Sequence, residues 1–245
     1  ILSYAAVDRA GNASERTGLS EFVVDTRPEK VNIYYAEDDV GGVIDEVFSG
    51  GTTDDSRPTL FGTATAGGIV NIYEGSVLLG QAETDVDGTW QFTPDDPLSE
   101  GLHSFHATVT LVAKGESERS RPFNLTVDVT APEKPSIEQV MDDVGMLQGR
   151  LENGAITDDN MPTLLGKAEA SSTVHIHSNG VRLGSVLVDA SGRWMYTPDA
   201  ALVDGKHVLS VAAEDAAGNL SEFSEVFEIV VGTVAGATPT IDRVY

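Results

Sequence analysis

The sequence predicts an all-β chain of tandem β-sandwich domains. Three observations predict it: a repeat at a fixed step, short alternating segments between turn clusters, and almost no helical periodicity. Thr53-Asp-Asp-Ser-Arg-Pro-Thr-Leu60 returns as Thr157-Asp-Asp-Asn-Met-Pro-Thr-Leu164, 104 residues later. At the same step Asp38-Asp-Val-Gly41 returns as Asp142-Asp-Val-Gly145, and Trp90, Thr93, Pro94 and Asp95 return as Trp194, Thr197, Pro198 and Asp199. A period this long is one domain, not one turn of a solenoid.

The repeat also sets the expected domain limits. Asp8-Arg-Ala-Gly-Asn12 matches Asp215-Ala-Ala-Gly-Asn219, near the end of the last full copy. Pro239-Thr-Ile241 matches Pro135-Ser-Ile137, the opening of a copy. The expected order is the C-terminal part of a preceding repeat at 1–27, full repeats at 28–131 and 132–238, and the start of a following repeat at 239–245. The chain reads as a window on a longer, elongated array. Short Pro-containing linkers, Asp25-Thr-Arg-Pro-Glu-Lys30 and Asp128-Val-Thr-Ala-Pro-Glu-Lys134, make each joint semi-rigid.

Within the first full copy, Gly, Asp, Asn and Pro clusters punctuate the chain every 8–12 residues. Between them the expected strands are A over 31–35, B over 58–65, C over 69–74, C′/D over 77–84, E over 89–93, F over 103–111 and G over 122–129. Asp85-Val-Asp-Gly88 reads as a tight turn between D and E. Trp90 and Phe92 alternate on E, as do Trp194 and Tyr196 in the next copy, and read as core anchors. Seven strands in about 100 residues with Greek-key connections is the Ig-like plan.

Composition narrows the function classes. Fifteen Lys and Arg face 39 Asp and Glu, a net charge of −24, which excludes a nucleic-acid partner. No apolar run approaches the roughly 18 residues of a membrane helix, so membrane insertion is not expected. There is no cysteine, so no disulfide can staple the sheets, and bound metal is the expected substitute.

Aspartates concentrate in the loops at the two poles of each copy. Hard oxygen ligands on Gly-containing loops suit Ca²⁺ better than Mg²⁺, which demands stricter geometry. Adjacent carboxylates repel in an empty loop, and a cation reverses that cost. Two kinds of Ca²⁺ site are expected. One lies within a repeat, on the AB loop: Asp38, Asp39, Asp54 and Asp55, then Asp142, Asp143, Asp158 and Asp159. The other lies between repeats, where the strand G exit meets the DE and FG loops of the next copy. Its candidates are Asp25 with Asp85 and Asp87, and Asp128 with Asp189, Asp215 and Asn219; Asp8 and Asn12 are the matching pair in the first partial repeat. The FG loop of the middle copy, Leu111-Val-Ala-Lys-Gly115, lacks the Asp and Asn.

Other chemistry is thin. His175 and His177 alternate on strand C and read as surface histidines rather than chelators of a transition metal. His103 and His207 match between copies and read as structural hydrogen-bonders. No Gly-x-Ser-x-Gly nucleophile elbow is present, and no enzyme is expected.

The motif series Asp-Asp-Val-Gly, Thr-Asp-Asp-x-x-Pro-Thr-Leu-x-Gly, Asp-x-x-Gly-x-Trp-x-x-Thr-Pro and Asp-x-x-Gly-Asn resembles the bacterial Ig-like repeats of giant type I-secreted, RTX-type adhesins, the biofilm-associated and large non-fimbrial adhesin family. The resemblance covers essentially the whole chain. It implies a calcium-stiffened stalk segment, secreted or at the Gram-negative cell surface, that holds a binding tip away from the cell for adhesion or biofilm formation. Its partners would be the neighbouring repeats, with any host glycan or receptor met by other parts of the parent protein. The alternative is a module that itself binds a host glycan or protein. That reading expects an exposed aromatic patch on one copy alone, with Tyr34, Tyr35 and Phe48 the residues to inspect.

Overall fold

The computed structural model describes residues 30–41, 44–112, 114–146 and 148–232. All regular structure among them is β. The first repeat contains β1 (Asn32–Asp38), β2 (Asp45–Phe48), β3 (Gly51–Thr53), β4 (Thr59–Thr63), β5 (Ile69–Glu74), β6 (Val77–Glu83), β7 (Thr89–Phe92), β8 (Gly101–Leu111), β9 (Gly115–Glu116) and β10 (Phe123–Val127). One sheet runs β2-β1-β4-β7; the other runs β3-β10-β8-β5-β6, with β9 on the end of β8. The second repeat contains β11 (Ser136–Asp142), β12 (Gly149–Arg150), β13 (Ala155–Thr157), β14 (Thr163–Lys167), β15 (Thr173–Ser178), β16 (Val181–Leu187), β17 (Arg193–Tyr196), β18 (Gly205–Glu214) and β19 (Phe227–Val231). Its sheets, β12-β11-β14-β17 and β13-β19-β18-β15-β16, repeat the same topology. These are tandem Ig-like β-sandwiches.

The period-2 pattern fixes the inner faces. In the first repeat Leu60, Val70, Ile72, Phe105, Val109 and Leu125 are sealed from solvent. In the second, Leu164, Val174, Ile176, Leu209, Ala213 and Ile229 take those places. Trp90 and Trp194 are buried, at 4% and 3% exposure, so the tryptophans are core anchors as expected. Glycine makes room for each. A Cβ on Gly62 would lie 2.0 Å from the Asn32 carbonyl oxygen and 2.5 Å from the Trp90 ring; on Gly166 it would lie 1.9 Å from the Ser136 oxygen and 2.4 Å from Trp194.

Two features depart from the sequence expectation. The AB segment is not a loop: β2 pairs antiparallel with β1, and β3 pairs parallel with β10. The chain thus crosses from one sheet to the other within its first strand region. Strand β6 pairs with β5, so the 85–88 turn carries the chain between sheets rather than along one.

The histidines divide. His103 bonds Glu74 Oε1 and the Ser99 carbonyl, each at 2.7 Å. His207 bonds Ser178 Oγ at 2.8 Å and the Val203 carbonyl at 2.7 Å. Both are structural, as expected. His175 corrects the reading of a surface residue: it is 6% exposed and its Nε2 pairs with Glu214. Glu214, at the end of the neighbouring strand β18, holds the ring against the sheet.

Candidate metal centre at the joint between repeats

The end of β1 and the turn after β3 bring Asp38, Asp54 and Asp55 together. Thr53 organises them. Its hydroxyl donates to Asp38 Oδ2 at 2.7 Å and accepts from the Asp55 amide at 3.1 Å. Asp55 Oδ1 accepts from the Arg57 amide at 2.7 Å. The second repeat builds the same knot. Thr157 donates to Asp142 Oδ2 at 2.5 Å and accepts from the Asp159 amide at 3.0 Å, while Asp159 Oδ1 accepts from the Met161 amide at 2.8 Å. Asp38, Asp55, Asp142 and Asp159 are all buried, at 6% exposure or less. Sequence reading missed the two threonines, although both stand immediately before the repeated Asp-Asp pair. Asp39 and Asp143 are exposed beside these knots, and the Asp143 amide donates to Asp159 Oδ2 at 3.4 Å.

Asp54 and Asp158 fill the concave side of the preceding turn. Gly41 and Gly145 have φ of 69° and 70°, a left-handed conformation that favours glycine. A Cβ on Gly41 would lie 2.0 Å from Asp54 Oδ2, and on Gly145 2.2 Å from Asp158 Oδ2. The carboxylate therefore sits where any other residue would place its side chain. Asp54 Oδ1 is buried and has no hydrogen-bond partner.

This knot also faces the next repeat. Burial first, then the nearby Asp38 carboxylate, and finally the charge of Asp215 from the second repeat push the Asp54 carboxyl above its usual range. Burial likewise raises Asp55, helped by Asp39 and Asp38 and opposed by the Arg57 amide bond and guanidinium. The FG loop of the second repeat is wound around Asp215, whose Oδ1 accepts from the Ala217 and Asn219 amides at 2.9 Å each. Asn219 Nδ2 donates to Asp215 Oδ2 at 2.9 Å and to the Asp128 carbonyl at 2.8 Å, which ties this loop to the strand leaving the first repeat. Glu100 Oε1 accepts from the Val129 amide at 3.2 Å and from the Thr130 hydroxyl, an anchor at the same exit that the sequence reading did not pick out. The charge of Asp215 in the second repeat thus acts on Asp54 in the turn after β3 of the first.

The DE aspartates are differently employed. Asp85 accepts from the Asp87 and Thr89 amides at 3.0 Å and from the Thr89 hydroxyl at 2.6 Å. Asp189 accepts from Ser191 N and Oγ at 2.8 and 2.7 Å and from the Arg193 amide at 3.0 Å. Hydrogen bonds from Thr89 and from Ser191, respectively, hold both carboxyls below the usual range. Each closes its own turn. Asp87 is exposed on that turn. Asp8, Asn12 and Asp25 lie outside the described residues.

Among the described residues no three His, Asp or Glu side chains converge as a finished metal cage. The carboxylates of the knot are turned toward their own threonine and amide donors. What fits a cation is the orphaned Asp54 oxygen and the repulsion around it. Arg57, whose guanidinium acts on Asp55, directs its Nε to the Pro94 carbonyl at 3.1 Å.

The raised carboxyls give a pH prediction. A carboxyl raised on folding contributes stability that is full below the unfolded value, here 3.8, and lost as pH rises through the folded value. In chelator, Asp54→Asn should therefore be more stable than the wild type at neutral pH. That advantage should shrink to nothing as pH falls to about 4. Equal melting temperatures for the two proteins at every pH would refute the repulsion.

A family model described as a bacterial Ig-like domain matches residues 31–129 and again 135–233. No curated protein sequence matches the chain. Among solved structures it is similar to fibronectin(III)-like modules of Clostridium thermocellum CbhA, at 17% identity and a TM-score of 0.49, covering 86% of this chain and 100% of that one. It is also similar to a tetra-tandem repeat in the extending region of a large adhesion protein, at 21% identity and a TM-score of 0.30, covering 92% of this chain and 55% of that one. A third similar structure is the BSP domain of a biofilm associated protein, at 19% identity and a TM-score of 0.30, covering 85% of this chain and 30% of that one. The chain thus spans about half of the second structure and under a third of the last.

Proposed function

The chain belongs to the bacterial Ig-like domain family, and from that premise we propose that it is a calcium-stiffened spacer in an extracellular adhesin. The observation that carries this reading is the buried, unpartnered Asp54 oxygen, whose carboxyl is raised by burial, by Asp38 of its own repeat and by the charge of Asp215 of the next. Around it Asp39 and Asp55 supply further carboxylates, and Asn219 already holds the strand exit at Asp128. The ion that suits such a set is Ca²⁺, which takes six to eight oxygens in adaptable geometry. When bound, it would offset the repulsion among these carboxylates.

The chain's own residues then do mechanical work. Thr53 fixes Asp38, and the Thr53-Asp54-Asp55 turn follows directly from the strand that pairs with β10. Asp215 fixes the FG loop, and the Asn219 amide grips the linker backbone. Drawing these groups together removes freedom at the joint and extends the array. Lys134 and Glu225, 2.6 Å apart, add a bond between linker and second repeat, though an exposed pair contributes little. The first joint of the array would be weaker by this logic, because the middle FG loop carries Lys114 where the last carries Gly218 and lacks the Asp and Asn.

The test is a Ca²⁺ titration of the whole chain, followed by calorimetry and small-angle scattering. At about 100 times the dissociation constant, a site bound only in the folded state adds about 2.7 kcal/mol, a rise of ~10 °C or more in the melting temperature. The particle should also lengthen and stiffen. Asp215→Ala with Asn219→Ala should abolish the stiffening. Identical melting and scattering in chelator and in millimolar Ca²⁺ would overturn the metal reading.

A further inference from the structure

The two repeats differ on the outer face of the first sheet. In the first repeat Phe48, Tyr35, Phe61 and Gln91 stand in one cross-strand row, paired Tyr35 with Phe48, Tyr35 with Phe61, and Phe61 with Gln91. The Tyr35 and Phe61 rings are 4.9 Å apart and inclined by 16°; Tyr35 and Phe48 are 6.4 Å apart. A bulge between Ile33 and Tyr35 adds Tyr34, so consecutive tyrosines serve this face. Tyr34 and Phe48 are 52% and 61% exposed. Beside the row lies a groove of about 470 Å³ over Gly62 and Trp90, edged by Glu83 and Gln91.

The fold does not require this row. The second repeat keeps the same bulge and the β11–β14–β17 pairing, though its β12 is shorter than β2, and places Glu138, Gln139, Glu152, Leu165 and Met195 at the matching positions. Where Tyr34 bonds the Thr63 hydroxyl at 3.0 Å, Glu138 pairs with Lys167 at 2.7 Å. Cross-strand aromatics can stabilise a sheet, yet the same topology is complete here without them. An exposed aromatic row confined to one copy is what a binding surface predicts.

We infer that this groove binds a neutral oligosaccharide. A sugar ring offers an apolar C–H face for the aromatic row and hydroxyls for Gln91, Glu83 and the Tyr34 oxygen. Charge decides against an anionic occupant. Among the described residues no Lys or Arg lines the groove, while Glu83 and Asp85 do, so an acidic glycan or peptide is repelled. A second copy of the chain would bring another −24 against it.

The test is nuclear magnetic resonance titration of the whole chain with cellotriose, chitotriose and lactose, with sialyllactose as the anionic probe, in both calcium and chelator. At least one neutral sugar should shift the amides of Tyr35, Phe61 and Gln91 saturably, and leave Gln139, Leu165 and Met195 unmoved. Tyr35→Gln with Phe48→Glu copies residues the second repeat already tolerates. It should keep the melting temperature near that of the wild type and weaken binding about 10-fold or more. Three results would overturn the inference: no neutral sugar moves these amides, the double variant binds like the wild type, or only sialyllactose binds. Sedimentation as a dimer that the double variant abolishes would assign the face to self-association instead. Running both calcium conditions keeps failure here separate from failure of the calcium clamp.

Discussion

Gly166→Ala should destabilise the second repeat by about 3 kcal/mol and lower its melting transition by ~15 °C. The added methyl group would meet the Ser136 carbonyl at 1.9 Å and the Trp194 ring at 2.4 Å. Neither can yield cheaply. The carbonyl belongs to β11, which pairs with β14 through Ser136 and Lys167 and through Ile137 and Gly166. The indole is buried among Val140, Leu164 and Leu209. Relief would require either breaking the β11–β14 ladder or expelling the largest core side chain. The first repeat serves as an internal reference, since its own Gly62 is untouched. Differential scanning calorimetry should show one transition displaced and the other in place. A single unshifted transition would mean that the tryptophan can move aside.

Asp142→Ala should cost about 3 kcal/mol in the same repeat. Asp142 is 4% exposed and accepts from the Thr157 hydroxyl at 2.5 Å and the Val144 amide at 3.0 Å. Alanine strips both donors of their acceptor in a site that water does not reach. Thr157 also fixes the Asp159 amide, so the loss spreads through the knot. Asp142→Asn separates structure from metal. One amide oxygen still accepts one of the two donors, so the cost without calcium should be nearer 1 kcal/mol. The charge is gone, however, so if the second knot takes a cation as the first is proposed to, the calcium-induced rise in melting temperature should shrink in step. Chemical denaturation with and without calcium measures both. If Asn and Ala behave alike in the two conditions, Asp142 is a structural residue and has no part in cation binding.

Much of this architecture is written locally. Turn residues recur at a step of 104, and strand C at 69–74 coincides with β5 (Ile69–Glu74) because glycines, Gly68 and Gly75, bound the run on both sides. The alternation of Trp90 and Phe92 placed both in the core for the same reason. The 45–53 segment was opaque. Asp45-Glu-Val-Phe-Ser-Gly-Gly-Thr-Thr53 lies mostly at the surface, so no buried face imposes an alternation. Its parallel partner β10 is more than 70 residues away, and no local pattern records such a pairing. The aspartates show the same limit. Their residue type and repetition were visible, but not the division of labour among them. Asp85 and Asp189 spend their oxygens on turn donors within four residues, whereas Asp54 feels the charge of a carboxylate 161 positions along the chain. Only the packing of one repeat against the next distinguishes the two cases.

The switch of the first strand region between sheets bears on what happens under tension. The outgoing strand β10 is held on one side by β3 and on the other by β8. Its hydrogen bonds, Leu125 to Val127 against Gly51 to Thr53 and Phe123 to Val127 against Gly101 to Phe105, run across the strand direction. A force drawing the linker away along that direction meets these bonds side by side. They must slide together rather than open one after another from an end. The second repeat offers the same arrangement through Ala155–Thr157 and Ile229–Val231. Rupture under flow would thus be slow compared with a hairpin peeled from its tip. How long a repeat survives a pull would be set by its unfolding rate and not by its equilibrium stability.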